Sequence, residues 1–292
     1  MTQPTIPLSP ETPTPAPEGA PPAPGRGPTA RVLLVAGVVL GAVAVLWVAV
    51  FLVDLALSRT TTQHASYAAT GSVELVADGD VTVRVAEGGV EVDRVAHSGL
   101  TAPEYEARES AAGLVVTHEC ARWLWVASSR CSGDLEVTLP ADTELVVRSS
   151  NGDVLATGLA GAADLRSSNG DVEATEVTGD LTLDTSNGDV QVAGAGADVD
   201  VYSSNGGIEV TDVGGSLDAV TSNGEIEVAG VAGDVRAESS NGDVTVTGDG
   251  EPVVLTLETS NGSQTSEGPT DPAADRTVEV RSSNGDVAYL LP

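Results

Sequence analysis

One dipeptide constrains this chain more than any other feature. Asn-Gly recurs with its Asn at Asn151, Asn169, Asn187, Asn205, Asn223, Asn241, Asn261 and Asn284, usually inside the phrase Ser-Asn-Gly-Asp-Val. The steps between successive positions are 18, 18, 18, 18, 18, 20 and 23. Five equal steps in a row mean one structural unit repeated, and a short fixed period is the mark of a solenoid or a similar array.

The stretch from Ser168 to Ser186 shows the unit. Val172 and Ala174 share one face of a strand, and Leu181 and Leu183 share one face of the next, so the repeat divides into two nine-residue halves. Other copies agree: Ile208/Val210 with Leu217/Ala219, and Ile226/Val228 with Val235/Ala237. The alternate positions are mostly Asp, Glu, Thr or Arg and are expected to face water. At the corners, Asn and Gly are expected to adopt positive φ.

Stacking each strand on its copy in the next repeat satisfies the backbone and encloses a thin aliphatic core between two sheets. The expected class is therefore all-β: a two-sheet β-solenoid of 18-residue coils over about residues 70–292, after a single transmembrane helix. Stacked corners would also align their Ser and Asn side chains into ladders. An antiparallel meander competes, because Asn-Gly is also a hairpin signal. Pairing at i to i+18, against strand to next strand, separates the two.

The rest of the chain sorts by composition. Residues 1–30 are a Pro, Thr and Ala tract without core-forming residues, read as a disordered cytoplasmic tail. Val32 to Val53 carries no charge and spans about 33 Å as a helix, enough to cross a bilayer, with Trp47 and Phe51 toward its outer end. Arg26 and Arg31 before it, against Arg59 after it, favour a cytoplasmic N-terminus. Cys120 and Cys131, the only cysteines, lack zinc-site spacing and read as a disulfide in an oxidising compartment. That puts the C-terminal part outside the cell, on a protein of the cell membrane.

Residues 54–69 read as a tether and 70–148 as an irregular β N-terminal half, with Trp123, Trp125 and the disulfide forming a cap. Residues 149–292 are the regular array. It is interrupted by a polar loop at 263–276, and Tyr289, Leu290 and Leu291 are expected to cover the last coil. Seven or eight coils make a body of roughly 35–40 Å, and an extended tether brings its reach to at most about 90 Å.

With the lead-in "LEVTLPADTELVVRSSNGDV", these repeats resemble a known bacterial group, the putative-adhesin family of unknown function with short β-strand repeats on extracytoplasmic domains. The resemblance covers about residues 70–292, and the Pro-rich start and Lys-free, Ala/Val/Gly-rich composition look actinobacterial. It implies fold and location. Some related proteins are linked to envelope-stress signalling, and the family has no catalytic residues to carry over.

No catalytic constellation is visible. His64, His97 and His118 are scattered, and no Gly-x-Ser-x-Gly elbow occurs. The recurring acids Asp153, Asp171, Asp189, Asp243 and Asp286, with Glu225 in one copy, raise calcium as an alternative to turn formation. Calcium-roll spacing is absent, and Gly207 and Ser263 replace the acid in two copies, so turn formation and no cofactor are expected. A net charge of −30 excludes nucleic acid and points to a cationic or envelope ligand. The expected function is a non-enzymatic, membrane-anchored binding or adhesion module. The alternative is an envelope-stress sensing or regulatory protein whose ectodomain binds a cationic peptide or wall component.

Overall fold

The structure, a computed structural model, describes residues 28–120 and 131–292. The Pro-rich tail up to residue 27, and Trp123 and Trp125, lie outside the described residues. The chain divides into two units, Met1–Val50 and Phe51–Pro292. Helix α1 (Pro28–Leu57) runs through that boundary. Its segment Val32–Leu57 is long and apolar enough to cross a membrane, with a mean hydropathy of 2.8.

The second unit is built of strands. In chain order they are β1 (Arg59–Tyr67), β2 (Ser72–Ala77), β3 (Val81–Val85), β4 (Val90–Ser98), β5 (Pro103–Ser110), β6 (Gly113–Cys120), β7 (Ser132–Leu139) and β8 (Glu144–Ser149). The array continues through β9 (Val154–Thr157), β10 (Ala163–Ser167), β11 (Val172–Val177), β12 (Leu181–Thr185), β13 (Val190–Ala195), β14 (Val199–Ser203), β15 (Ile208–Val213) and β16 (Leu217–Thr221). It closes with β17 (Ile226–Val231), β18 (Val235–Ser239), β19 (Val244–Thr247), β20 (Val254–Thr259), β21 (Gln264–Ser266), β22 (Thr277–Ser282) and β23 (Val287–Leu290).

These form two sheets. Sheet A has the order β1-β4-β7-β3-β9-β11-β13-β15-β17-β19-β23-β21, and sheet B the order β20-β22-β18-β16-β14-β12-β10-β8-β2-β6-β5. Through the regular array each strand pairs in parallel with its copy one repeat on: Leu181 lies opposite Val199, and Val190 opposite Ile208. The solenoid, not the meander, is the architecture. Twelve strands at about 4.8 Å make sheet A roughly 50 Å deep, longer than the array alone implied.

The core is a set of stacked columns. One runs Leu145, Ala163, Leu181, Val199, Leu217 and Val235; facing it, Val154, Val172, Val190, Ile208, Ile226 and Val244 line sheet A, all buried. A third column, not evident from alternation, consists of Leu159, Val177, Ala195, Val213 and Val231. It exists because the residue before each, Gly158, Glu176, Gly194, Asp212 and Gly230, has positive φ. Pairing skips that residue, Thr175 facing Ala193 and Val177 facing Ala195, so the alternation shifts by one and the next side chain turns inward.

Both ends depart from chain order. At the start, β2 and β3 lie between the β6/β7 level and the β8/β9 level. At the finish, β22 and β23 lie between β18/β19 and β20/β21. Tyr289 is thus fully buried inside the stack and does not cover its end, which is formed by β20 and β21. The polar loop that follows β21 folds back on the stack: Glu267 N–H donates to Tyr289 O at 2.9 Å, and Gly268 lies against the Tyr289 ring.

The N-terminal levels are antiparallel, β1 on β4, β4 on β7, and β5 on β6. Residues 59–67, read as part of a tether, are therefore the nine-residue edge strand β1. "RTTTQHASY" lacks the buried alternation that marks a strand, and its backbone pairing with β4 is what orders it. The reach computed from an extended tether falls with it.

Candidate functional site

The Asn-Gly-Asp corner, stacked level on level, is the recurring polar construction, and it has three parallel parts. The innermost is hidden in the sequence. Two residues before each Asn stands a hydroxyl: Ser149, Ser167, Thr185, Ser203, Thr221, Ser239, Thr259 and Ser282. Each donates to the glycine carbonyl of the adjoining level, as in Ser167 to Gly152 O at 2.9 Å and Thr221 to Gly206 O at 3.0 Å. Five of them, at 149, 167, 185, 203 and 221, also accept the N–H of their own corner glycine, at 2.9–3.2 Å. A buried hydroxyl used in both directions leaves neither glycine group unpaired. The one signal for it in the sequence is that this position is always Ser or Thr.

Outside it runs an amide ladder. Asn169 Nδ2 donates to Asn151 Oδ1 at 3.2 Å, and Asn187, Asn205, Asn223 and Asn241 repeat this at 3.0 Å. The ladder then follows space, not sequence: Asn284 donates to Asn241 at 3.0 Å, and Asn261 donates to Asn284 at 2.9 Å. Each Nδ2 also reaches a serine carbonyl one level down, for example Ser186 O from Asn205 at 2.8 Å.

The glycines are required for a reason other than the one expected. The positive-φ residues do not include any corner Asn or Gly. Instead, a Cβ on Gly188, Gly206, Gly224 or Gly242 would stand 1.8–2.0 Å from the carbonyl oxygen of the glycine below. Backbone stacks on backbone there, and no side chain fits.

The third part is a carboxylate column. Asp171 N–H donates to Asp153 Oδ1 at 2.9 Å, Asp189 N–H to Asp171 at 2.8 Å, and Gly207 N–H to Asp189 at 2.7 Å. It begins earlier than the repeats, with Asp80 N–H on Asp134 at 3.2 Å and Asp153 N–H on Asp80 at 3.0 Å. The repeat spacing does not reveal Asp80 and Asp134, whose Gly-Asp pairs fall outside it. Further on, Asp286 N–H donates to Asp243 at 2.8 Å, and Ser263 N–H to Asp286 at 2.7 Å. The Ser263 backbone N–H, with its hydroxyl, holds the Asp286 carboxyl below the usual carboxylate range.

All three histidines fall in the N-terminal levels. His64 Nδ1 lies 2.8 Å from Asp93, and His97 bridges Asp134 at 3.1 Å and Thr60 Oγ1 at 3.0 Å. Burial lowers the His118 pKa. Nearby, Tyr67 and Tyr105 share a 2.5 Å hydrogen bond between the two sheets, and Arg94 lies 4.0 Å over the Tyr105 ring. Cys120 and Cys131 are joined by a disulfide with Cα atoms 6.1 Å apart. Among the described residues, no group of three or more His, Cys, Asp or Glu is arranged to hold a metal ion.

Outward-facing acids lie on both sheets, but in the repeat array the strand arginines lie on sheet B alone. Sheet B carries Arg148, Arg166, Arg236 and Arg281, ion-paired with Glu74, Asp164, Asp218 and Glu258 respectively. From β9 onward sheet A has no arginine. Where Gly207 interrupts the carboxylate column a groove of about 410 Å³ opens, lined by Asp171, Glu173, Asp189, Glu209, Glu225 and Glu227.

Fold and corner together define a β-repeat solenoid domain whose coils are stapled by side-chain ladders. The chain belongs to the Toastrack DUF4097 family, whose model matches residues 116–289. A solved structure of a putative adhesin from Bacteroides fragilis is 12% identical, covering 80% of this chain and 97% of that one, with a TM-score of 0.50. At that identity the likeness shows the fold alone. A putative cell adhesion protein from Clostridium sporogenes is 11% identical over 80% of this chain and 100% of its own, with a TM-score of 0.27, too low to bear on the fold. No curated protein matches the chain.

Proposed function

We propose that this protein is a non-enzymatic binding module of the cell envelope, anchored by one membrane span, which takes a cationic ligand on the outer face of sheet A. The observation that carries this reading is the lining of the sheet A groove: six carboxylates surround it with no basic residue among them, whereas on sheet B the arginines of the repeat strands pair with part of the acidic side chains. Uncompensated like charge in a shallow groove raises the local concentration of oppositely charged ligands. The apolar Val32–Leu57 segment supports the anchor, and the Cys120–Cys131 bond supports an oxidising, extracytoplasmic setting. A structural role for the corner aspartates, in place of calcium binding, is supported by their backbone N–H donors.

The test is a titration of the full chain in detergent with a cationic peptide and, separately, with a neutral glycan. Peptide binding is expected at low salt and should vanish near 1 M, where screening acts within about 3 Å. Glycan binding that survives high salt, or no peptide binding at low salt, would remove the charge-based reading.

A further inference from the structure

Asn-Gly is a reactive pair, because a glycine without Cβ lets its peptide nitrogen approach the Asn side chain. That nitrogen attacks Cγ, the new C–N bond closes a five-membered succinimide, and Nδ2 leaves as ammonia. Water then opens the ring to aspartate or isoaspartate. One water enters, one ammonia leaves, and nothing is oxidised or reduced. This chain has eight such pairs, and the fold does not treat them alike.

We propose that Asn261 is the site at which this protein deamidates, the other seven Asn-Gly pairs being held unreactive by the stack. In the ladder every Asn from Asn151 to Asn284 accepts the amide of the next level on its Oδ1. Asn261 is the last rung. Among the described residues no donor reaches its Oδ1, and no coil lies beyond β20 and β21.

The attacking nitrogen differs as well. At Gly152, Gly170, Gly188, Gly206 and Gly224 the N–H is held by the buried hydroxyl of its own corner. Gly242 and Gly285 lack that bond but are each covered by the glycine of the next level, Gly285 packing on Gly242 O and Gly262 on Gly285 O. Gly262 has neither protection among the described residues, and Asn261, Gly262 and Ser263 are all exposed. Asn151, at the other end, lacks donor contacts for its amide, but Gly152 N–H is fixed on Ser149 Oγ at 3.0 Å and Gly152 is buried. Asn261 still donates its Nδ2 to Asn284 Oδ1 and Ser283 O, but an Oδ1 without a donor and a glycine nitrogen without a partner coincide, among the described residues, only at this pair.

Interior sites must open locally before they react, whereas an end rung is already at the low-stability limit. The experiment incubates the full chain in detergent at mildly alkaline pH and follows isoaspartate at each Asn-Gly by peptide mass mapping, beside the same chain in denaturant. In the folded protein Asn261 is expected to react at least ~10-fold faster than Asn187 or Asn205, and in denaturant all eight should react at comparable rates. Equal rates in the folded state, a lead by Asn151 or any interior site, or a folded chain that stays intact while the denatured one reacts, would each overturn the assignment.

Discussion

At the scale of single residues, stability rests on side chains that look interchangeable with surface polars. Ser203 donates to Gly188 O at 3.2 Å and accepts Gly206 N–H at 2.9 Å while fully buried. Ser203→Ala leaves a buried donor and a buried acceptor unpaired, and should cost about 1–3 kcal/mol in a denaturant titration. The same hydroxyl column is readable as a Ser/Thr-only position, yet nothing in the residues says that it faces inward. Glu176 and Asp212 occupy a column otherwise filled by Gly158, Gly194 and Gly230, with φ of 56° and 57°. A left-handed conformation is unfavourable for a residue with a Cβ, and more so for Glu than for Asp. Glu176→Gly should raise stability by about 0.5–1 kcal/mol after the extra freedom of glycine in the unfolded chain is offset, and the gain from Asp212→Gly should be smaller. An unchanged or lowered unfolding midpoint in Glu176→Gly would show that the conformation is not strained there.

At the scale of elements, the inserted coils at each end matter most. A plain solenoid unzips from its last coil, because each repeat touches only its neighbours. Here the last strands in sequence, β22 and β23, are interior, so the chain end is locked under β20 and β21. Deleting residues 277–292 removes buried Val278, Val280, Val287 and Tyr289 from within the stack. At about 1.5–3 kcal/mol per side chain, the loss is roughly 6–12 kcal/mol as an upper estimate. Limited proteolysis should then cut within residues 248–276, whose supporting level has gone; continued resistance there would mean that β20 can rejoin β18 directly. The wider steps from Asn241 to Asn261 and from Asn261 to Asn284 announce an irregular finish. They do not announce the exchange of levels, since β20 and β22 present similar alternating patterns and pairing alone decides which lies inside.

At the scale of the whole molecule, a net charge of −30 is less informative than its placement. Two substitutions change that charge equally: Gln191→Arg on sheet A, where Gln191 lines the groove, and Thr182→Arg on sheet B. If sheet A is the binding face, the first should weaken cationic-peptide affinity several-fold more than the second at low salt. Equal effects would mean that the ligand senses only the total charge. The even repeat interval determined, without coordinates, that the chain coils, that like residues stack and that its core is thin and aliphatic, because one register repeats and leaves few other ways to bury alternating Val, Leu and Ile. Tertiary structure alone decided which level lies at each end, which Asn is the last rung and why the corner glycines are needed. Those depend on contacts between segments far apart in the chain, where a carbonyl pressed against the place of a missing Cβ leaves no trace in local pattern.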